Sequence, residues 1–224
     1  MSYASPSLIV LPGDKRGERA PHFKPTPGFE GVEFPDSSTL SKPIDWPAMF
    51  GRMAHLSVEI GCGGGRWLIG AAESNPEKNY VGLEIAGEFY NILRERSAKR
   101  GLKNLKVARI DGAWLMRDRF ADNSIDEYHI YFPDPWPKKR HNKRRLLSDE
   151  FCAQLQRTLK PGGILWFATD HKEYYSVVLP RLAKVLPVQE HPEPWPDAPA
   201  GRTNFEAKYI VQGRPIYRLF AKKP

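Results

Sequence analysis

Leu56-Ser-Val-Glu-Ile-Gly-Cys-Gly-Gly-Gly65 decides the fold. Its first half is a short apolar run suited to a buried strand, and its second half is a glycine-rich turn. Trp67, Leu68, Ala71 and Ala72 follow at helical spacing, so the turn joins a strand to a helix. Glycines at such a junction let the backbone approach a ligand, and the helix start offers free N–H groups. A dinucleotide fingerprint would use Gly61 and Gly63, but it puts Arg66 at its last position, where bulk blocks close helix–strand packing. The pattern acidic-x-Gly-x-Gly-x-Gly fits in full, from Glu59 through Gly61, Gly63 and Gly65. A carboxylate at Glu59 suits a ligand with a cationic amino group better than a phosphate. S-adenosylmethionine is the common ligand of that kind.

Outward from this stretch, strands and helices alternate. Tyr80 to Ile85 reads as a second strand, and Phe89, Ile92, Leu93 and Arg96 to Arg100 as a helix stopped by Gly101. Leu105 to Ile110 and Ile125 to Phe132 are a third and fourth strand. Ser148 is an N-cap for a helix with Phe151, Cys152, Leu155 and Leu159 on one face, ended by Lys160-Pro-Gly-Gly163. Ile164 to Thr169 is a fifth strand, with a helix from about 172 to 186 after it. Beyond a proline-rich loop (192–199), Tyr209 to Val211 and Pro215 to Ala221 are expected to pair as an antiparallel hairpin around Gly213. The pattern predicts a Rossmann-like α/β fold, mostly parallel, with that hairpin at its end. Eight of the 21 prolines lie in residues 1–47. Residues 1–50 are therefore expected to be a flexible arm, a solvated tail whose Lys15, Arg16, Arg19 and Lys24 are alternatively nucleic-acid contacts, and 51–224 the folded domain.

In a parallel sheet every strand ends on one edge, and ligands bind there. Glu84 ends the second strand and is placed to accept ribose hydroxyls. Asp111 ends the third, placed to accept from an adenine amino group. Asp134 and Asp170 follow the fourth and fifth.

The fourth strand runs into Tyr131-Phe-Pro-Asp-Pro-Trp-Pro-Lys-Lys-Arg-His-Asn-Lys-Arg-Arg145. Three prolines in five residues hold Asp134 rigidly, and Phe132 and Trp136 flank it, which suits a flat base. The basic run then dominates the charge. The chain carries +8, yet the six cations of residues 138–145 leave only +2 for the rest. One intense positive spot beside a candidate pocket suggests a polyanionic partner, nucleic acid before membrane. No apolar stretch approaches the ~20 residues of a membrane span. Two cysteines, Cys62 and Cys152, form no CxxC pair, and six histidines are scattered without metal-ligand spacing. A cytoplasmic protein without a metal is expected. Oligomeric state is left open.

The Glu-Ile-Gly-x-Gly-x-Gly turn, Phe132-Pro-Asp-Pro-Trp-Pro-Lys-Lys-Arg-His141 and Thr203-Asn-Phe-Glu206 together resemble the bacterial tRNA (guanine-N7)-methyltransferase family, over roughly residues 55–220. The resemblance implies a seven-stranded methyltransferase sheet, S-adenosylmethionine as donor and a variable-loop guanine of tRNA (position 46) as target. It implies Glu59, Gly61, Gly63, Gly65, Glu84, Asp111 and Asp134 around the cofactor, with Asp134 also the catalytic residue. It implies Lys138, Asp170, Thr203, Asn204, Phe205 and Glu206 on the substrate, and Arg140, Lys143, Arg144 and Arg145 on the RNA. Thr203 and Glu206 would read the N1–H and N2 amino edge of the guanine. Cys62 stands where a bulkier apolar residue is usual. The competing readings are a methyltransferase for another RNA and a non-catalytic RNA-binding module on the same fold.

Overall fold

In the computed structural model, which describes residues 22–224, the glycine turn sits at the centre of a seven-stranded sheet. Helix α1 (Trp46–Phe50) leads into β1 (Leu56–Ile60), α2 (Arg66–Ser74), β2 (Asn79–Glu84), α3 (Gly87–Lys99) and β3 (Leu105–Arg109). Then come α4 (Gly112–Arg119), β4 (Ile125–Tyr131), a 3-10 helix (Lys139–Arg144), α5 (Asp149–Thr158), β5 (Leu159–Thr169) and α6 (Lys172–Ala183). Strand β6 (Val188–Glu190), α7 (Asn204–Val211) and β7 (Tyr217–Lys222) close the chain. The sheet order is β3-β2-β1-β4-β5-β7-β6, parallel through β5, with β7 antiparallel to both of its neighbours. Every residue of β1 and β2 is buried, as expected of central parallel strands covered on both faces. Side chains from α2 and α3 pack on one face (Leu68, Ile69, Leu93) and those from α4, α5 and α6 on the other (Leu115, Phe151, Val178). The order reverses between β1 and β4, so the switch point lies beside the glycine turn.

Two expectations change. Tyr209 to Val211 is the last part of α7, not a strand, because Thr203 caps that helix by accepting from the Glu206 N–H. Strand β7 pairs instead with β5 and with β6, which the sequence reading did not find. Residues 22–50 lie against the domain: Phe34, Ile44 and Trp46 are buried in its main core, and Glu33 bridges to Val107 of β3. The buried Glu33 carboxylate accepts from Thr26, Tyr90 and Arg94, which ties this segment to α3. Lys24 faces Asp36 at 3.6 Å. Lys15, Arg16 and Arg19 lie outside the described residues.

Candidate active site

The glycine turn is shaped by three alternating left-handed residues, Gly61, Gly63 and Gly65. At Gly61 and Gly63 a Cβ would meet nothing, so the conformation alone demands glycine. At Gly65 a Cβ would also fall 2.3 Å from Leu93 Cδ1. Glu84 props the turn from the end of β2, accepting from Gly63 N–H and Ala86 N–H, each at 2.8 Å. A carboxylate has about four acceptor sites, so two of them remain for a ligand. Glu59 is 2% exposed, and its Oε2 has no partner among the described residues. Burial, and then the Glu84 charge, push the Glu59 carboxyl well above the usual range, against the opposing pull of Arg202. Burial raises Glu84 as well, and the Asp134 charge adds to it. Desolvation raises Asp134 in turn. An orphaned buried carboxylate oxygen among mutually repelling acids fits a ligand that brings positive charge. Asp111 caps α4, its Oδ1 accepting from Ala113 and Trp114 N–H, while the side chain stays exposed at the same edge.

Asp134 sits in a strained loop. Phe132 and Trp136 hold φ of 51° and 42°, both left-handed, and each precedes a proline. Non-glycine residues rarely adopt this region, and bulky ones cost about 1–3 kcal/mol each there. Two contacts pin the strain. Phe132 N–H donates to Ala168 of β5 at 2.7 Å, and Arg145 Nε donates to the Pro135 carbonyl at 2.7 Å. Arg145 is buried and also pairs with Glu173 at 3.0 Å. Arg145, expected on the RNA, is instead turned inward: it clamps the Asp134 loop from inside, with its guanidinium paired.

The rest of the basic run faces outward. Lys138, Lys139, Arg140, Lys143 and Arg144 are exposed, and within the run only Arg145 forms an ion pair among the described residues. The Arg144 guanidinium lies 5.0 Å over Trp136, tying the run to the Asp134 loop. Slight desolvation, and then the charges of Arg144, Arg140 and Lys138, lower the His141 pKa.

Helix α7 completes the edge, and Glu206 is turned the other way from expectation. It is fully buried, with Oε1 accepting from Arg218 Nε at 2.7 Å and Oε2 from Arg202 N–H at 2.8 Å. Both oxygens serve the fold, so Glu206 is not free to read a base edge. Thr203 is occupied as the helix cap. Asn204 accepts from Arg66, beside the glycine turn, at 3.2 Å. Phe205 points outward, 56% exposed, and Asp170 pairs with Arg214 at 2.7 Å.

The comparisons agree with this geometry. A family model described as "Putative methyltransferase" matches residues 53–219. The tRNA (guanine-N(7)-)-methyltransferase of Limosilactobacillus fermentum is 37% identical over 187 residues, covering 80% of this chain and 85% of that protein. The protein of the same name from Thermotoga maritima is 34% identical over 183 residues, covering 81% of this chain; this chain spans 58% of its length. This chain belongs to the tRNA (guanine-N7)-methyltransferase family. Among solved structures, the 16S rRNA methyltransferase KamB aligns with a TM-score of 0.56 at 17% identity, over 83% of this chain and 98% of that one, which shows the shared fold.

Relative to the family motifs, sequence reasoning missed the residues that hold the motifs in place. Arg202 donates to Tyr131 at 2.6 Å and to Asp197 at 2.7 Å. Tyr131 OH in turn meets His129 Nδ1 at 2.8 Å. Burial lowers His129 to about 4, which favours the neutral imidazole at pH 7. Glu127, His129 and Tyr131 alternate along β4, a period-two polar pattern visible in the sequence; nothing there singles out Arg202. Among the described residues no cluster of His, Cys, Asp or Glu is placed to hold a metal, and no helix is long and apolar enough to cross a membrane.

Proposed function

We propose that this chain transfers the methyl group of S-adenosylmethionine to N7 of a guanine in tRNA, at variable-loop position 46. The observation that carries this reading is Asp134, held between two left-handed aromatic residues at the edge where Glu59 and Glu84 converge, beside five exposed cations. When bound, S-adenosylmethionine supplies a methyl group made electrophilic by its sulfonium. Glu59 would hold the amino group of the donor, Glu84 its ribose hydroxyls through the two free acceptor sites, and Asp111 its adenine amino group through Oδ2. Guanine N7 carries an in-plane lone pair and no proton, so none of these groups has to act as a base. The protein's work is alignment of N7 with the methyl carbon for direct in-line displacement. Positive charge appears on the purine as the bond forms, and the Asp134 carboxylate stabilises it from a fixed position. Lys138, Lys139, Arg140, Lys143 and Arg144 hold phosphates beside the reaction.

The test incubates the protein with labelled donor and unmodified tRNA and maps the product by m7G-specific strand cleavage. Label in a variable-loop guanine is expected. Tight tRNA binding without incorporation would favour the non-catalytic reading, and label in another base would move the target. Asp134→Ala is expected to lower kcat about 10²–10³-fold, with a smaller loss of donor affinity because Asp134 also lies beside the cofactor cradle; unchanged turnover would remove Asp134 from the chemistry.

A further inference from the structure

A polar row crosses the face of the sheet that α2 covers. Glu59 of β1 lies opposite His129 of β4 in the parallel register, so both side chains share that face. Tyr131 follows His129 by two residues, on the same face. Trp67 of α2 covers the row, with its ring centroid 3.7 Å from that of His129. At the end of the row Arg202 Nη1 donates to the Tyr131 hydroxyl at 2.6 Å. A guanidinium can only donate. The Tyr131 hydroxyl therefore accepts from Arg202 and gives its own proton to His129 Nδ1 at 2.8 Å. Burial favours neutral His129, whose one ring proton then sits on Nε2 and goes to Glu127 at 3.2 Å. Every bond of this chain points the same way, from Arg202 inward along β4.

Arg202 is held from the other side as well. Its Nε and Nη2 donate to the two oxygens of Asp197 at 3.2 and 2.7 Å. The guanidinium also lies over Trp195 at 4.6 Å and over Trp166 at 4.9 Å. Arg202 is 8% exposed, whereas the Asp197 side chain is 57% exposed. Burying a cation this deeply is expensive, and Asp197 offsets its charge only from the solvent side. On the inner side stands Glu59. Burial and the Glu84 charge raise the Glu59 carboxyl, and the Arg202 charge pulls it down. The other titratable groups around Glu59 are Cys62 in the turn and His129 and Tyr131 on β4. Burial raises the Cys62 thiol and the Tyr131 phenol, with the Glu59 charge adding to both, so these two stay neutral. Arg202 supplies the positive charge.

We propose that Arg202 is a positioning residue for the donor: locked by Tyr131 and Asp197, it is the internal counter-charge that keeps Glu59 ready to accept the donor's ammonium. The inference rests on the reading of Glu59 as the holder of that amino group. It gives the polar chain under β4 a task at the cofactor, because the chain fixes where the guanidinium stands. Asp197 sets how much of the Arg202 charge acts on Glu59. The two residues therefore pull Glu59 in opposite directions, although both belong to one ion pair.

The probe is S-adenosylhomocysteine, which carries the same amino group as the donor. Calorimetry gives its affinity as a function of pH, corrected for the ligand's own amino group, which titrates at about 7.7–8.0. In wild type the affinity should rise with pH and level off where Glu59 is ionised. Arg202→Gln should move that break up by about 1 pH unit, the low end for a nearby opposite charge because Asp197 offsets part of it. Below the break, binding should then be about tenfold weaker. Asp197→Asn should move the break down and tighten binding below it. Asp197 is exposed, so this variant carries the test where Arg202→Gln does not fold. Methylthioadenosine, which lacks the amino group, should bind with the same pH dependence in all three proteins. A purely structural role would weaken both ligands alike and leave the break in place. A break that stays put in Asp197→Asn, or that moves the same way in both variants, overturns the inference. If wild type shows no break, or Glu59→Gln keeps it, it is the reading of Glu59 that fails.

Discussion

Glu206→Ala separates a structural role from a substrate-reading one. Its carboxylate is fully buried and holds Arg218 Nε at 2.7 Å and Arg202 N–H at 2.8 Å. Arg218 is itself 4% exposed, and its other described bond, to the Pro192 carbonyl, is 3.2 Å long. Truncating Glu206 leaves a guanidinium buried without a counter-charge, which costs about 3–5 kcal/mol. In a chain of this size each kcal/mol shifts the melting temperature by about 2–4 °C, so the drop should be about 6–20 °C. Scanning calorimetry at constant protein concentration measures it. Replacing the pair together, as Glu206→Met with Arg218→Leu, should recover much of the loss, because a well-packed apolar pair needs no compensation for lost water. Well below its melting temperature, Glu206→Gln should keep its KM for tRNA within a few-fold, since its amide oxygen still accepts from Arg202. A Glu206→Gln protein that melts like wild type yet loses tRNA recognition would refute this reasoning and return Glu206 to the substrate.

Other outcomes follow from the same geometry. Glu59 is held above the usual carboxylate range in the folded protein, so its protonated form is favoured there and the ligand-free protein should lose stability as pH rises through and above the ordinary Glu range. A cationic donor beside Glu59 reverses the preference: donor binding should release a proton, read by calorimetry in buffers of different ionisation enthalpy, and Glu59→Gln should abolish the release. Replacing Lys139, Arg140, Lys143 and Arg144 by Ala should flatten the salt dependence of tRNA binding by about 0.7 log units per lost single-strand contact, with donor affinity unchanged. Arg145→Ala should instead leave that slope unaltered and lower kcat, because the Pro135 carbonyl loses its clamp; a flattened slope in Arg145→Ala would place this residue on the RNA after all. Gly65→Ala should disrupt the turn and weaken donor binding, since the methyl group collides with Leu93 and the residue is left-handed; donor affinity equal to wild type would show that the turn adapts.

Strands β1 to β5 were legible because each carries apolar, β-branched or aromatic residues and ends at a chemically marked edge. That Gly61, Glu84, Asp111, Asp134 and Asp170 fall at one edge of the sheet followed from topology alone once the strands were parallel. Helix α7 was misread for a physical reason. Tyr209, Ile210 and Val211 have strand-forming side chains, and the helix capped upstream by Thr203 outweighs that preference. The competing signal was present: Thr203-x-x-Glu206 has the form of a capping box, although here the Glu206 carboxylate reaches the N–H of Arg202 and not that of Thr203. Helix α4 was missed because it has little apolar periodicity; its cap, Asp111, was noticed only as a ligand candidate.

The strain at Phe132 and Trp136 was invisible for a different reason. Local rules describe majority conformations, and a bulky residue before proline is expected to be extended. Both residues break that rule on either side of Asp134. A loop that opposes its own preferences persists only if the surroundings hold it, and here the holding groups are the Ala168 carbonyl and Arg145. This also explains why one cation of a run otherwise open to solvent lies inside. On the proposed function the basic run would do two jobs in eight residues: five exposed charges would face the polyanion, and the sixth would fix the loop that carries Asp134. The basic run and the Asp134 loop are joined through the bond from Arg145 to the Pro135 carbonyl. A phosphate that displaced Arg144 from Trp136 would act on the same loop that Arg145 holds from below.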